Sequence, residues 1–217
     1  MKLAIVIPYR DRYEDLKDLH EPLRESLSEI DHSVIVSEQA DEEPFNRGLA
    51  NNVGMEYAIE NGFTHMVTHD VDSIPILVDY SECPHIARLC GIFNGKCTPH
   101  GNMGTYMGGI VMLSKEAAIK VNGYPNAVFG WGHEDDILRM RAHNSGVKIE
   151  YRAGFYKVRP HDRDMSKFWE NGGLISKNFN RLGGLSDIKK YCTTLKSKDK
   201  FGIRIKFKCK KNRPKIS

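Results

Sequence analysis

The chain has 217 residues, a net charge of +4 and a hydrophobic content of 40%. This length and composition are typical of one globular domain with a sizeable core, and no nucleic-acid partner is expected. The first apolar run, at residues 3–7, is too short for a signal peptide or a membrane span.

The predicted elements alternate between strands and helices along the chain. Strands are expected at 3–7, 33–36, 63–69, 109–113 and 147–151, and helices at 13–27, 47–61, 115–121 and from 134 to near 146. Gly62 is expected to end the second helix, Ser114 to cap the third, and residues 81–104 to be irregular. The alternation indicates one α/β domain with a mostly parallel central sheet.

The C-terminal part of the chain is strongly basic. From Lys189 onward there are 12 Lys and Arg residues against Asp199 alone. Apolar and basic residues alternate over 201–209, which predicts a terminal edge strand with one solvated face. A surface for an anionic partner is the alternative. The domain is therefore expected to cover residues 1–209, and residues 210–217 to form a free basic tail.

The cysteines do not form a recognisable metal-binding or disulfide pattern. Their number is odd, and the spacing of the first three is not one that zinc sites usually show. We therefore expect mostly reduced thiols at Cys83, Cys90, Cys97, Cys192 and Cys209.

The most informative motif is Gly-Trp-Gly-His-Glu-Asp-Asp at residues 130–136. Trp131 lies between two glycines, which leave room for a ligand, and its indole offers a face on which a sugar ring can stack. A carboxylate among Glu134, Asp135 and Asp136 can take a proton from a hydroxyl group. The alternative is an ordinary helix start, since acidic residues are common in first helical turns.

A second acidic motif, Asp70-Val71-Asp72, follows the strand predicted at 63–69. Carboxylates at the carboxyl end of a strand in an α/β sheet face the ligand crevice. Two of them spaced by one residue can approach a divalent cation that also holds phosphate oxygens. The motif therefore indicates a metal–diphosphate site, and a local turn stabilised by Asp70 is the alternative.

Together with these two motifs, three others occur in an order that resembles the β-1,4-galactosyltransferase family. They are Ile-Pro-Tyr-Arg-Asp-Arg at 7–12, Phe-Asn-Arg at 45–47 and Tyr-Met-Gly-Gly at 106–109. The resemblance covers nearly the whole chain and implies a single GT-A (nucleotide-diphospho-sugar transferase) domain. It further implies Mn²⁺-dependent, inverting transfer of galactose from UDP-galactose to a sugar hydroxyl in β-1,4 linkage. Residues 105–109 and the bulky His133 look closest to the xylose-directed branch, so a β-xyloside is the expected acceptor.

The same resemblance implies roles for individual residues. Asp135 is expected to be the catalytic base with Glu134 beside it, and Asp72 and His161 are expected to bind manganese. Tyr106 is expected to favour galactose over N-acetylgalactosamine in the donor. Acceptor binding is expected of Gly132, Glu134 and Asp136. Donor binding is expected of Pro8, Tyr9, Arg10, Arg12, Phe45, Asn46, Arg47, Asp70, Val71, Tyr106, Gly109 and Trp131.

Three details of this site stay open from the sequence. Val158 stands where some family members have a liganding methionine, so the third metal ligand is not identified. The carboxylates on either side of Asp135 oppose its ionisation, whereas the helix N-terminus favours it. For Arg10 and Arg12, ordinary surface ion pairs with neighbouring acids are the alternative.

The sequence is compatible with three other functions. One is a transferase that moves N-acetylgalactosamine or builds a chondroitin-like polymer, and Tyr106 argues against the first of these. Another is a glycan-binding module without catalysis, which Asp72, Asp135 and His161 argue against. The last is a glycosidase with paired carboxylates, for which the arginine-containing nucleotide motifs have no use. The expected location is the cytoplasm if the sequence is complete, and the Golgi lumen if an N-terminal anchor has been removed.

Overall fold

The computed structural model describes residues 1–94, 96–97, 107–160, 165–176 and 182–214. The helices are α1 (Tyr13–Ser26), α2 (Arg47–Glu60), α3 (Lys115–Val121), α4 (Glu134–Asn144), α5 (Phe168–Ser176) and α6 (Ile188–Tyr191). The strands are β1 (Leu3–Tyr9), β2 (His32–Gln39), β3 (His65–His69), β4 (Ser73–Leu77), β5 (Ile86–Arg88), β6 (Ile92–Phe93), β7 (Lys96–Cys97), β8 (Ile110–Ser114), β9 (Ile149–Tyr151), β10 (Phe155–Val158), β11 (Cys192–Asp199) and β12 (Gly202–Cys209).

The central sheet has eight strands in the order β11-β12-β2-β1-β3-β8-β5-β9. The four adjacent strands β12, β2, β1 and β3 are mutually parallel, and β5 pairs in parallel with β9. The prediction of a mostly parallel α/β sheet is therefore confirmed. Because the carboxyl ends of parallel strands meet at one edge, the loops after β1 and β3 lie close together there. A smaller sheet has the strand order β4-β10-β6-β7, and its strand β4 follows β3 along the chain.

Strand β1 is the centre of the core, since all seven of its residues are buried. Its alternate side chains enter two apolar clusters, Ala4 and Val6 on one face and Leu3, Ile5 and Ile7 on the other. Helix α2 contributes to the first cluster and α1 to the second. A strand covered on both faces needs an uninterrupted apolar run, and this explains why the sequence here does not alternate.

Several predictions about the irregular and terminal regions were wrong. Residues 81–104, expected to be irregular, include the short strands β5, β6 and β7. Strand β12, predicted to be an edge strand, is an interior strand. The edge on this side of the sheet is formed by β11, which was not predicted. Seven of the eight β11 residues are exposed, so this strand lacks the apolar alternation by which strands are recognised.

The start of the basic tail is attached to the domain rather than free. The main-chain N–H of Lys210 donates to the carbonyl of Tyr191 at 2.7 Å. The Arg213 guanidinium pairs with Glu43 at 2.8 Å and lies 4.7 Å from the centre of the Phe129 ring. Among the described residues, no helix has the length and apolar character that a membrane crossing requires.

Candidate active site

Arg47, in the first turn of α2, joins the two acidic motifs. Its Nε lies 2.7 Å from Asp70 Oδ1, and its Nη1 lies 2.8 Å from Asp135 Oδ1 and 3.2 Å from Glu134 Oε1. One guanidinium thus connects the loop after β3 with the start of α4. Asp70 uses its carboxylate for this contact, which argues against the alternative of a purely local turn.

The position of Arg47 is set by the residue before it. Asn46 is fully buried and caps α2, because its Oδ1 accepts a hydrogen bond from the Leu49 N–H at 2.8 Å. Its Nδ2 donates to the Asn126 carbonyl at 2.7 Å, and its main-chain N–H donates to Gln39 at 2.8 Å. The side chain of Asn46 is therefore occupied inside the protein. This geometry assigns it to positioning Arg47 and does not support the predicted direct contact with the donor.

The electrostatics of the cluster decide how Asp135 ionises. The pKa of Asp135 is raised to about 7: burial is the largest cause of the rise, the Arg47 cation opposes it, and the carboxylates of Glu134 and Asp70 add to it. For Arg47, burial lowers the pKa, but the three carboxylates outweigh burial and the net pKa lies well above the usual value. Asp135 therefore titrates near neutral pH next to a permanent cation, which suits a general base.

The turn before α4 has a backbone that few residues adopt. Gly130 and Gly132 have φ values of 76° and 103°, and His133 has a φ of 74° although it is not glycine. A Cβ on Gly132 would lie 2.8 Å from the ring of Phe168, so a larger residue would displace that ring. The Trp131 ring stacks on Phe168 with 5.5 Å between centroids, and His133 lies 4.5 Å from Phe168. Phe168 thus covers part of the turn that was predicted to contact sugars.

Two residues of α5 were missed in the sequence. Phe168 stacks on the turn, and Asn171 donates from Nδ2 to the Phe129 carbonyl at 3.0 Å. Both lie in a stretch that carries no recognised motif. The sequence signal that could have indicated this helix is the spacing of its apolar residues. Two of them, Leu174 and Ile175, pack against a small buried cluster in the same region.

The two carboxylates predicted to bind the acceptor, Glu134 and Asp136, differ in their surroundings. Glu134 is 8% exposed, and its Oε2 has no hydrogen-bond partner among the described residues. The same holds for Nη2 of Arg47. Asp136 is half-exposed and its Oδ2 lies 3.3 Å from His133 Nδ1. Because buried polar atoms normally have partners, the open atoms of Glu134 and Arg47 are suited to receive a polar ligand.

The arginines after β1 are held by side chains and carbonyls around them. Arg10 donates to the Glu43 carbonyl at 2.5 Å and lies over the Phe45 ring at 5.4 Å. Arg12 pairs with Asp15, and its Nη2 lies 3.4 Å from Asp72 Oδ2. The two arginines therefore flank the carboxyl end of β1. Arg12 thus forms an ion pair with a neighbouring acid, as in the alternative of ordinary surface pairs, although the acid is Asp15 and not Asp11 or Glu14.

Four further residues predicted to bind the donor have mainly structural surroundings. Pro8 and Tyr9 are buried at the end of β1, and the Tyr9 ring lies 5.2 Å from the Arg204 guanidinium. Val71 is 7% exposed and belongs to the apolar cluster on the α1 face. Gly109, with a φ of 88°, is buried just before β8.

Of the two predicted metal ligands, Asp72 lies within the described residues. Its side chain is mostly buried at the edge of the sheet, where the Arg159 N–H donates to its carbonyl at 2.9 Å. A carboxylate is a donor that Mn²⁺ accepts readily. His161, two residues after Arg159 in the sequence, and Tyr106 both lie outside the described residues. Within the described ranges no group of three or more candidate ligands occurs.

Comparison with known proteins agrees with this architecture. The family described as the N-terminal region of glycosyl transferase group 7 matches residues 1–82, and that described as the N-terminal domain of galactosyltransferase matches residues 90–162. Human β-1,4-galactosyltransferase 5 is 34% identical over 197 residues, covering 86% of this chain and 51% of the relative. The xylosylprotein 4-β-galactosyltransferase of Caenorhabditis elegans is 31% identical over 203 residues, covering 87% of this chain and 70% of the relative.

A solved structure gives the same fold. The catalytic domain of Drosophila β-1,4-galactosyltransferase 7, in complex with xylobiose, superposes with a TM-score of 0.79 at 22% identity, over 96% of this chain and 94% of the other. On the sequence similarity, this chain belongs to the β-1,4-galactosyltransferase family, and its domain has the GT-A-like fold of that family. The chain spans about half the length of the first human relative.

Proposed function

We propose that the protein is a Mn²⁺-dependent inverting galactosyltransferase that uses UDP-galactose and forms a β-1,4 linkage to a sugar hydroxyl. The observation that carries this proposal is the position of Asp135, a carboxylate that titrates near neutral pH and is held by Arg47 beside the strand-end Asp70. The relatives named above support the donor and acceptor. One is a xylosylprotein galactosyltransferase, and a mutant of the Drosophila enzyme has been solved with manganese, UDP-Gal and xylobiose.

In the proposed reaction Asp135 is the general base. It accepts the proton of the acceptor hydroxyl while that oxygen attacks the anomeric carbon of galactose from the face opposite UDP. The new carbon–oxygen bond forms as the bond to the UDP oxygen breaks, so the anomeric configuration inverts without an enzyme nucleophile. Arg47 keeps the Asp135 carboxylate in one orientation, which leaves its other oxygen for the acceptor.

The acceptor is proposed to bind at the start of α4. The unpartnered Oε2 of Glu134 and the half-exposed carboxylate of Asp136 are suited to accept hydrogen bonds from sugar hydroxyls. Trp131 and Gly132 would border the sugar, with Phe168 fixing the indole from the other side. His133 would narrow this pocket, which is why a pentose such as xylose is the preferred acceptor in the proposal.

For the metal, the residues present fit Mn²⁺ through Asp72, with His161 as the second proposed ligand. The bound ion would neutralise charge on the leaving diphosphate. Arg10 and Arg12 flank the same edge of the sheet, and we assign them to the nucleotide and its phosphates. Tyr106 is proposed to crowd the C2 substituent of the donor sugar. For the compartment, the proposal remains the cytoplasm for a complete chain and the Golgi lumen for an anchored one.

A screen of UDP-sugars against simple acceptors tests the function. UDP-galactose with a β-xyloside and Mn²⁺ should give a disaccharide with a β-1,4 linkage, and EDTA should stop the reaction. UDP-GalNAc as the better donor would replace the galactosyltransferase assignment by the alternative transferase. If neither transfer nor hydrolysis of any UDP-sugar occurs in folded protein, the glycan-binding module becomes the better explanation.

A further inference from the structure

The C-terminal hairpin brings two cysteines into direct opposition across the sheet. In the antiparallel pairing of β11 with β12, Cys192 lies opposite Cys209. Both are thiols in this structure, and neither belongs to the candidate active site. Cys192 is 3% exposed, whereas Cys209 is partly exposed. The four intact thiols described here also include Cys83 and Cys90, which are fully buried.

The hydrogen-bond pattern shows which kind of cross-strand pair they form. The main-chain N–H of Lys210 donates to the carbonyl of Tyr191 at 2.7 Å, and these residues lie one position beyond the Cys192–Cys209 pair that ends the ladder, so the neighbouring pair is hydrogen-bonded. Because such pairs alternate along an antiparallel ladder, Cys192 and Cys209 form a non-hydrogen-bonded pair. Facing residues of this kind have Cα atoms about 4.5 Å apart, with close side chains. That separation lies within the range of roughly 4.4–6.8 Å that disulfides span.

The structure assigns Cys192 and Cys209 as an oxidisable pair that forms a disulfide in the folded protein by exchange with a small-molecule disulfide such as oxidised glutathione. The partly exposed Cys209 thiolate attacks the glutathione disulfide, forms a mixed disulfide and releases one glutathione. The Cys192 thiolate then attacks Sγ of Cys209 and releases the second glutathione. Two protein protons are transferred to the two leaving thiolates, so two thiols and one disulfide become one disulfide and two thiols.

The disulfide would restrain the end of β12, which hydrogen bonds connect to Arg10, a proposed donor-binding residue. The N–H of Cys209 donates to Asp41 Oδ2 at 2.5 Å, and Asp41 Oδ1 accepts from Gln39 and from the Glu43 N–H. The Glu43 carbonyl in turn holds Arg10. Burial raises the pKa of both thiols to about 12, so the exchange should take on the order of hours at neutral pH rather than seconds.

Oxidation of the whole folded chain by oxidised glutathione tests the assignment. After alkylation and tryptic digestion without reductant, mass spectrometry should find the peptide 191–196 linked to the peptide 209–210. The melting temperature of the oxidised protein should rise by roughly 5–10 °C and return when dithiothreitol is added, because the bond closes a loop of the unfolded chain. These two readouts need no variant and do not depend on the proposed enzymatic activity.

A matched control tests whether the disulfide requires a cysteine directly opposite Cys209 or only a thiol nearby on β11. In Cys192→Ser with Thr193→Cys, a thiol is kept one residue away, but it projects to the opposite face of the sheet. This double variant should give no linked peptide and no rise in melting temperature in the folded state. The inference is refuted if wild-type protein stays unlinked while folded, if linkage needs denaturant, if oxidation lowers the melting temperature, or if the control links as fast as wild type.

Discussion

Replacing Asp135 by asparagine should make the protein more stable at alkaline pH and nearly inactive. Asparagine keeps the size of the side chain, and its carbonyl oxygen can still accept the hydrogen bond from Arg47 that lies at 2.8 Å in the structure. It cannot take a proton from an acceptor hydroxyl. In the proposed mechanism turnover should therefore fall by about 10²–10⁴ while UDP binding is retained.

The effect on stability follows from the raised pKa of Asp135. Burial raises it from 3.8 to about 7 in the folded state, so the folded protein holds this proton more tightly than the unfolded chain. The stabilisation of the folded state by protonated Asp135 is fully present below pH 4 and is lost as the pH rises through 7. Three pKa units correspond to an upper limit of about 4 kcal/mol. Because the side chain is 24% exposed and Arg47 offsets part of the effect, we expect Asp135→Asn to gain about 1–2 kcal/mol at pH 8 and little at pH 4.

Denaturant unfolding at pH 4 and pH 8 measures this difference, and Asp136→Asn is the matched control for stability. Asp136 is the next residue but its side chain is 48% exposed, so its substitution should change stability by less than about 0.5 kcal/mol at either pH. Equal stability of Asp135→Asn and wild type at both pH values would refute the electrostatic argument. Loss of turnover in Glu134→Gln with near-wild-type turnover in Asp135→Asn would identify Glu134 as the base instead.

Four other substitutions test the proposed site. Asp72→Ala should abolish turnover in Mn²⁺, and undiminished activity of this variant in EDTA would exclude Asp72 as a ligand. Tyr106→Leu should raise the use of UDP-GalNAc relative to UDP-Gal by tens of fold, since one pocket group contributes about 1–3 kcal/mol to discrimination, whereas an unchanged ratio would remove Tyr106 from the donor pocket. His133→Gly should shift kcat/KM from β-xylosides toward N-acetylglucosamine, and a wild-type preference for N-acetylglucosamine would contradict the xylose assignment. Arg47→Lys should lower kcat more than it raises KM for the acceptor, because a lysine cannot hold Asp70 and Asp135 at once; unchanged kcat would contradict this role.

The parts of the fold that the sequence predicts well are those with a strong local pattern. Strand β1 was recognised from a continuous apolar run and α2 from its length and the stop at Gly62, whose φ is 75°. Ser114 caps α3 as expected, accepting a hydrogen bond from the Ala117 N–H at 3.1 Å. Each of these signals depends on residues that are neighbours in the sequence, and so no tertiary contact was needed to read them.

The parts that were missed depend on contacts between distant segments. Strand β11 is polar on both faces, and it forms because β12 offers a complete ladder of partners. The link between Asp70 and Asp135 through Arg47 could not be derived from either motif, since each is consistent with an isolated turn or helix start. Phe168 occupies its place because Gly132 has no side chain, a fit that becomes visible only when both segments are folded.

With UDP-galactose as the proposed donor, the charge balance of the candidate site shows why cationic groups are needed beside the diphosphate. When Asp135 is ionised, three carboxylates surround the single guanidinium of Arg47, and Asp72 adds a fourth acid beside Arg12. Two unit charges 4 Å apart interact by about 4 kcal/mol at an effective dielectric constant of 20, so this cluster would repel a diphosphate. In the proposed mechanism, a divalent cation held by Asp72 would offset this negative charge where the phosphates must lie. Asp135, the proposed base, lies in the first turn of α4, and Asp72, the proposed metal ligand, follows β3, so in the proposed mechanism the ion would offset the donor's charge without occupying the base.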